Sequence, residues 1–384
     1  MRYDPIDPQL FIENRRRLAA RLPSHSIAVL NANDVMPTSA DGVHPFIQQT
    51  DLFYLSGIDQ EESPLLLFPD AREEKHREVL FLRETNEQIA LWEGRKYTLE
   101  EGTAVSGVRT VLWNTEFPSV FRGLAAQAER IFLNSNEHPR ANAVVETRDA
   151  RFGKWCREAF PLHRYDRLAP ILNDLRAVKS PVEIDRIRRA VDITGQTFRR
   201  LLGFIRPGVW EYEIEAEIWH EFLRRRSRGP AFQTIVASGS DTCTLHYVKN
   251  DKQCRAGDLV LIDFGAEYSN YAGDLTRTVP VGGRFSLRPR AVYDALPETL
   301  VVRELRYRVR QPGYRTREVT LVTTLLDAEL YPASELAELY DRRWQAEVNL
   351  RHLKETLGLR VLRSQSAAGV ERELLAFALV YNAI

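Results

Sequence analysis

Some segments of the chain have hydrophobic positions at helical spacing, and others are short apolar runs typical of strands. The order of these segments along the chain predicts a layered architecture. An amphipathic, arginine-rich helical pattern covers residues 8–22, and a second helical pattern covers residues 118–127. Short apolar runs of β-forming residues predict strands at 27–30, 64–68, 78–82, 89–92, 111–113 and 130–133. Because strands that alternate with helices are typical of an α/β domain, we predict such a domain over residues 1–150.

Helical spacing prevails in the next part of the chain. Residues 151–178 form a predicted connecting region, with its helix at about residues 166–178. Pro181 then occupies a first helical turn, and Glu183 lies near the positive end of the same helix. The expected buried face of this helix consists of Ile184, Ile187, Ala190, Val191 and Thr194. A further helix is expected over residues 212–226, with Ile214, Ile218 and Phe222 on one side.

The candidate chemistry lies in a strand and the hairpin that follows it. An apolar run at residues 259–262 predicts a buried strand that ends in Asp263. Ser269 and Asn270 mark a turn, after which a second strand brings Asp274 beside Asp263. Two buried carboxylates repel each other unless a cation neutralises them, and a divalent metal ion does so. The alternative, that both aspartates cap turns in an ordinary hairpin, remains open from the spacing alone.

Composition narrows the class of protein. The 384 residues carry a formal net charge of zero, so bulk charge indicates neither a nucleic-acid-binding nor a membrane-surface protein. Cys156, Cys243 and Cys254 lack metal or disulfide spacing, which favours a reducing cytoplasm. No apolar stretch approaches the length of a membrane span, and no secretion signal is evident at the amino terminus. We therefore predict a cytoplasmic protein without a membrane partner.

The composition changes from about residue 296. Six arginines lie between Arg303 and Arg317, against one glutamate. A β-branched strand is predicted over residues 319–327, and a long helix over residues 333–357. One face of that helix, an arc of about 60°, carries Tyr340, Arg343, Glu347 and Lys354. A charged helix face is typical of a solvated, salt-bridged surface, and that interpretation remains open.

Three segments of the middle region resemble a known family. They are G-S-D-T-C-T-L-H-Y (239–247), D-F-G-A-E-Y (263–268) and Y-A-G-D-L-T-R-T-V-P-V (271–281). They resemble the first half of the catalytic domain of aminopeptidase P, the Xaa-Pro aminopeptidase of the pita-bread metallopeptidases. The resemblance implies that Asp263 and Asp274 are the first two ligands of a dinuclear site, usually Mn²⁺, and that His246 lines the substrate pocket. By itself, a lone histidine such as His246 indicates no role.

The same resemblance extends toward the amino terminus and implies an activity. The run F-I-Q-Q-T-D-L-F-Y-L-S-G (46–57) resembles the aminopeptidase P N-terminal domain, whose role is to shape the site and the oligomer. The catalytic half corresponds to residues 179–294. The implied reaction is metal-assisted hydrolysis that releases the N-terminal residue from peptides with proline in second position. A homo-oligomer is expected on the same ground.

The family also requires ligands that the sequence does not supply. The resemblance implies a further histidine and two glutamates after Asp274, yet the only later histidine is His352 and no Glu-Pro-Gly occurs. The family-like sequence stops near residue 294. Two carboxylates rarely bind a transition metal tightly and cannot hold two ions around a shared water. Three of the five ligands are missing, and we expect no peptidase activity.

The carboxyl-terminal part resembles a second family. The spacing Y-x2-R-x3-E-x6-K, together with the sequence around it, resembles DDE-type insertion-sequence transposases, whose RNase H-like domain holds Mg²⁺. The resemblance implies that Glu347 is a metal ligand and that Arg343 and Lys354 contact DNA. The two aspartates of that family have no counterpart upstream, so this second site is also a fragment.

Together, the resemblances describe a chimera of α/β (α+β) class. Residues 1–294 correspond to a truncated aminopeptidase P, and residues 296–384 correspond to an RNase H-like transposase fragment. An insertion event and a misassembled gene model predict the same sequence. Three functions remain open: an Xaa-Pro aminopeptidase, a DNA transposase, and a non-catalytic remnant. In the remnant, an uncovered apolar sheet face would favour aggregation or oligomer contacts.

Overall fold

The α/β class predicted from the sequence is confirmed. The computed structural model describes residues 3–138, 144–286, 290, 303–309, 317–323 and 327–341. The chain divides into two units, Met1–Phe285 and Ser286–Ile384. The first unit contains a six-stranded sheet, a three-stranded sheet and a two-stranded hairpin with their helices, and the described part of the second contains a strand pair and one helix. Within these residues, no helix combines the length and the apolar character needed to cross a lipid bilayer.

A six-stranded sheet forms the centre of the amino-terminal domain. Its strands lie in the order β4-β3-β2-β1-β5-β6. The pairs β1–β5, β5–β6 and β3–β4 are parallel, whereas both pairs that involve β2 are antiparallel. The strands are β1 (Ser26–Leu30), β2 (Leu65–Leu67), β3 (Glu78–Leu82), β4 (Thr110–Trp113), β5 (Arg130–Leu133) and β6 (Arg164–Arg167).

Nine helices precede residue 225 among the described residues. They are α1 (Gln9–Ala19), α2 (Thr50–Ser56), α3 (Glu87–Glu93), α4 (Leu99–Ser106), α5 (Phe117–Ala125), α6 (Arg148–Ala159), α7 (Ala169–Ala177), α8 (Pro181–Phe204) and α9 (Glu211–Arg224). The start of α8 follows the prediction: Pro181 is its first residue, and Ser180 and Glu183 form a reciprocal capping box.

Both faces of the six-stranded sheet are covered, because alternate residues of its strands enter two different cores. Every residue of β1 is buried. Ala28 and Leu30 pack with the residues of α2 and α7 on one side. Ile27 and Val29 pack with Phe121 and its neighbours on the other. A strand buried on both faces is an apolar run without alternation, and residues 27–30 have that pattern.

One prediction of secondary structure is wrong, and another is incomplete. The apolar run at 89–92 is not a strand but part of α3, because the Asn86 side chain accepts a hydrogen bond from the Ile89 amide and starts a helix there. The connecting region 151–178 contains most of α6, then β6, then α7; α7 corresponds to the helix predicted at about 166–178, whereas α6 and β6 were not predicted. β6 pairs with β5 and so extends the amino-terminal sheet.

The buried face of α8 is rotated from the predicted one. Ala190 and Thr194 are buried as expected, but Ile184 is 38% exposed and Val191 is 48% exposed. The face that packs on the core also includes Ile193, Thr197 and Leu201. Thr194 and Thr197 satisfy their hydroxyls on backbone carbonyls one turn earlier, so polar residues occupy this face without an unpaired group.

A three-stranded antiparallel sheet, ordered β11-β8-β7, forms the second domain. The strands are β7 (Ile235–Ser238), β8 (Leu259–Phe264) and β11 (Leu275–Pro280), with the short hairpin β9 (Glu267–Tyr268) and β10 (Tyr271–Ala272) between the last two. Val260, Ile262 and Phe264 of the central strand β8 are fully buried against α8 and α9. The predicted order of helix, helix, strand and hairpin is confirmed.

The second unit contains an antiparallel pair and a helix. Strand β12 (Arg303–Val309) pairs with β13 (Arg317–Thr323), and α10 spans Ala333–Asp341. Strand β12 lies in the arginine-rich segment, for which no strand was predicted. The strand predicted at 319–327 overlaps β13, and the helix predicted at 333–357 is confirmed as far as residue 341. These elements do not show an RNase H-like arrangement.

One buried arginine joins three elements of the amino-terminal domain. Arg15 of α1 is fully buried; its Nη1 donates to Leu55 O at 2.7 Å and to Ser106 O at 2.9 Å, and its Nε donates to Glu78 at 2.8 Å. Leu55 and Ser106 lie in the last turns of α2 and α4, where a positive charge is favoured. Burial lowers the pKa of the guanidinium, and Glu78 opposes that effect.

Replacing this arginine should destabilise the domain. Arg15→Met leaves two buried carbonyls and the Glu78 carboxylate without their donor, so we expect a loss of about 3 kcal/mol in the free energy of unfolding, measured by urea titration. Arg16→Met is the control, because Arg16 lies next to it on α1 with its side chain 74% exposed. Equal effects of the two changes would contradict this account.

Close contact between α8 and the strand ends requires glycine at two positions. A Cβ atom at Gly265 would lie 1.8 Å from Gly273 O, and one at Gly273 would lie 2.9 Å from Ala190 O. At the same contact, Thr194 Oγ1 accepts a hydrogen bond from Ala266 N at 2.9 Å and donates one to Ala190 O at 2.8 Å. The hairpin is therefore held directly against the helix backbone.

Gly273→Ala should separate these elements. The added methyl group has no room, and overpacking of this kind costs about 2 kcal/mol of stability. Gly195→Ala is the matched control on α8, because nothing lies within 4 Å of a Cβ there. It should be neutral or stabilising by up to about 1 kcal/mol, since alanine favours helix. Thermal unfolding of both variants tests the difference, and a neutral Gly273→Ala would refute the contact.

A carboxyl near the end of β1 has a raised pKa. Asn31, directly after β1, donates from Nδ2 to Asp149 Oδ1 at 2.8 Å. Burial raises the pKa of Asp149 from 3.8 to about 7, against the hydrogen bonds from Asn31. Between these values the folded chain keeps a proton that the unfolded chain has released, so stability falls as the pH rises from about 4 to 7.

Asp149→Asn should remove this pH dependence. The amide needs no proton, so the variant should be more stable than the parent chain at pH 8, by on the order of 1 kcal/mol, and nearly equal to it at pH 4. Urea titrations at the two pH values measure the effect. Asp174→Asn serves as an exposed control, its side chain being 67% exposed. Equal stability differences at both pH values would contradict the assignment.

Candidate metal centre

The strand register places the two predicted metal-ligand aspartates on one face of the sheet. Asp263 lies on β8, opposite Ile235 of β7 on one side and Thr276 of β11 on the other. Asp274 precedes Thr276 by two residues, and the ladder continues past it, because Gly273 N donates to Ala266 O at 2.8 Å. Diagonal neighbours of this kind share a face, with Cα atoms about 7–8 Å apart.

This face is the open one. Along β8, fully buried residues alternate with partly exposed ones, and Asp263 belongs to the partly exposed set. Asp274 is exposed. A ligand can therefore reach both carboxylates without disturbing the core that covers the opposite face.

The turn between the aspartates follows the prediction. Ser269 and Asn270 both have positive φ, 55° and 63°, as in a type I′ turn. Asparagine tolerates this conformation, and the Asn270 amide also donates to the Glu267 carboxylate. The turn reverses the chain within two residues, and it thereby brings Asp274 back alongside β8.

An ion cluster fixes the hairpin tip to the amino-terminal domain. Arg228 donates to Asn270 Oδ1 at 2.9 Å and to Asp59 Oδ2 at 3.3 Å, and its Nε lies 3.5 Å from Glu267 Oε2. Asn270 Nδ2 also donates to Asp59 Oδ2, at 3.2 Å. Burial raises the pKa of Glu267, with Arg228 opposing that effect. Sequence reasoning missed this cluster, because its members are far apart along the chain.

His246 lies on an exposed loop, and no hydrogen bond within the described residues joins it to either aspartate. Its neighbour Tyr247 is buried and donates to Glu211 Oε2 at 2.8 Å. Glu211 is fully buried and also accepts from Ser238 N, Ser238 Oγ and Lys252 N. It holds the loop of His246 to the end of β7. No signal in the sequence distinguished Glu211 from the other helix-start glutamates.

The donor set does not fit a dinuclear metal centre. Within the part of the chain that the structure describes, no group of three or more His, Cys, Asp or Glu side chains is arranged to hold a metal ion. Asp263 and Asp274 supply two carboxylates, and a dinuclear site needs more donors than these. The other predicted site residues, Arg343, Glu347 and Lys354, lie outside the described residues.

Two protein families match the chain. The model of the aminopeptidase P N-terminal domain matches residues 11–132. The model of metallopeptidase family M24 matches residues 185–324. The second match runs past residue 294, near which the recognisable family sequence was expected to stop, and it includes β12 and β13. These matches do not support a transposase origin for that segment.

Individual relatives and solved structures agree with the family models. The chain is 35% identical to the Xaa-Pro aminopeptidase of Escherichia coli over 317 residues, which is 82% of this chain and 71% of that protein. It is 32% identical to the enzyme of the same name from Haemophilus influenzae, over 74% of this chain and 63% of that one.

Among solved structures, a putative aminopeptidase P from Bacillus anthracis superposes with a TM-score of 0.69 at 29% identity, over 75% of this chain and 68% of that one. The E. coli aminopeptidase P with the inhibitor Pro-Leu superposes with a TM-score of 0.66 at 33% identity, over 76% and 66%. The chain therefore belongs to the aminopeptidase P family of M24 metallopeptidases.

Proposed function

We propose that this chain is an Xaa-Pro aminopeptidase by family that does not itself hydrolyse Xaa-Pro peptides. The observation that carries the proposal is the carboxylate pair. Asp263 and Asp274 share the open face of one sheet, and no third metal-binding side chain joins them among the described residues. The family implies a divalent metal ion, for which we propose Mn²⁺ as the ion to test.

The substrate class follows the relatives. Peptides with proline in second position are the ligands that the name Xaa-Pro aminopeptidase implies for those proteins, and we extend that class to this chain. His246 is exposed on a loop held by Tyr247 and Glu211. It is therefore free to contact a bound peptide, and a pocket-lining role is proposed for it.

The remaining sequence-based interpretations stay predictions. A transposase fragment that binds Mg²⁺ and DNA through Arg343, Glu347 and Lys354 draws no support from the described residues. The same holds for the homo-oligomer and for the cytoplasmic location. A non-catalytic remnant agrees with the proposal, since both have the metal-binding residues incomplete.

Hydrolysis of an Xaa-Pro peptide by the purified full chain with added Mn²⁺ tests the proposal. We expect no turnover and no stoichiometric metal in the same sample, because two carboxylates alone bind a transition metal weakly. The E. coli relative, assayed in parallel, is the positive control for the assay conditions.

Two variants make the assay decisive. The contrary result is that the parent chain hydrolyses the peptide, with Asp263→Ala inactive and the exposed-carboxylate variant Asp192→Ala still active. That combination would mean that other residues complete the metal site. The proposal of inactivity would then be wrong. Absence of turnover in all three proteins, with the relative active, would support it.

A further inference from the structure

A cavity of about 390 Å³ lies at one edge of the amino-terminal sheet, away from the aspartate pair. It lies where β1 and β4 end and β2 begins, beside the first turns of α5 and α6. The residues that matter for its chemistry are Asn31, Glu62, Asn114, Arg148, Phe152 and Trp155. Its volume falls in the range of small-molecule sites, about 300–1,000 Å³.

The topology of the sheet favours a site at this edge. Ligands of α/β sheets bind outside the carboxyl ends of the strands. β1 and β4 both have their carboxyl ends at this cavity. Asn31 follows β1 directly and lines the cavity.

Two acceptors in this cavity lack a complete set of partners. Asn31 is 5% exposed; its Nδ2 donates to Asp149, and its Oδ1 accepts no hydrogen bond within the described residues. Glu62 accepts from Asn114 Nδ2 at 3.1 Å but forms no ion pair with any described residue. Glu62 also has φ of 52°, a strained conformation that is concentrated at functional sites. Each of these oxygens can accept a hydrogen bond from an ammonium group.

The first turn of α6 supplies donors. Arg148 Nε lies 3.1 Å from Asp34 Oδ1, and Arg151 Nη2 lies 2.7 Å from the same oxygen. One carboxylate thus faces two guanidinium groups, and the terminal nitrogens of Arg148 have no partner among the described residues. The positive end of the twelve-residue helix α6 adds to this charge. A carboxylate would be bound here.

Aromatic rings form the apolar wall of the cavity. Phe117, Phe152 and Trp155 all line it, with ring centroids 5.8 Å apart for the first pair and 5.7 Å apart for the second. Such a wall accommodates an apolar or aromatic side chain. The cavity therefore combines an acceptor pair for a cation, a donor pair for an anion and an apolar surface.

We propose that this cavity binds a short zwitterionic peptide with an apolar side chain. Its carboxylate lies at Arg148, its ammonium group at Glu62 and Asn31 Oδ1, and its side chain against Trp155. None of these residues belongs to the aspartate hairpin, so the proposal holds whether or not the chain hydrolyses peptides.

Calorimetric titration of the full chain with the dipeptide Leu-Phe tests this site. We expect a dissociation constant of about 1 mM or below. N-acetyl-Leu-Phe lacks the ammonium group and Leu-Phe amide lacks the carboxylate, and each should bind at least tenfold more weakly. These comparisons use the unchanged protein, so they do not depend on the folding of a variant.

Two substitutions then assign the two ends. Arg148→Ala should weaken Leu-Phe about tenfold while leaving the already weakened amide unchanged. Glu62→Gln should weaken Leu-Phe but leave the N-acetyl form unchanged. Lys154→Ala is the matched control, because Lys154 also lies on α6, its side chain is 74% exposed, and it does not line the cavity. It should leave every affinity unchanged.

Three outcomes would overturn the proposal. The first is no heat of binding with Leu-Phe at about 5 mM, a concentration well above the expected constant. The second is equal affinity for the free and both blocked peptides. The third is binding that Asp263→Ala abolishes and Arg148→Ala leaves intact, which would locate the peptide at the aspartate pair.

Discussion

The contact of α8 with the ends of β8 and β11 is the constraint on which the second domain depends. Gly265 and Gly273 leave no room for a side chain, and Thr194 bonds both the hairpin and its own helix. At its other end α8 bears Glu183, which accepts from Tyr271 at 3.4 Å. One helix therefore contributes to where the hairpin lies, and the hairpin returns the chain so that Asp274 lies alongside Asp263 of β8. Helix packing is thus one determinant of the geometry of the carboxylate pair.

The hairpin is also bound to the amino-terminal domain, by ion pairs and hydrogen bonds rather than by close packing. Arg228 and Asp59 are partly buried charges whose attraction is stronger than it would be in water, while Asn270 completes their hydrogen bonds. The packing contact at Gly273 acts at the base of the hairpin, and this cluster acts at its tip. Two independent restraints therefore act on the short hairpin Glu267–Ala272, one at its base and one at its tip.

Local signals in the sequence are sufficient where structure depends on neighbours along the chain. The Ser269–Asn270 turn, the start of α8 at Pro181 and the buried run of β1 were all predicted correctly. The strand predicted at 89–92 is wrong because short apolar runs occur in both strands and helices. Here the Asn86 side chain caps a helix. Asp59, Arg228 and Glu211 could not be predicted, because their partners come from distant segments and only folding brings their charges together. The aspartate pair was anticipated through hairpin geometry, but its completeness depends on residues outside the described structure.

The six-stranded and the three-stranded sheet differ in how many of their faces are covered by helices. β1 is buried at every position, so the amino-terminal sheet requires helices on both faces and has them. β8 alternates: its buried residues face α8 and α9, while on the opposite face Leu261 packs against a small cluster of Ile235, Ala237 and Tyr247. Asp263 and Asp274 lie on that opposite face and are not part of the core against α8 and α9. The packing of the second domain on α8 and α9 and the carboxylate pair are therefore separate features of this arrangement.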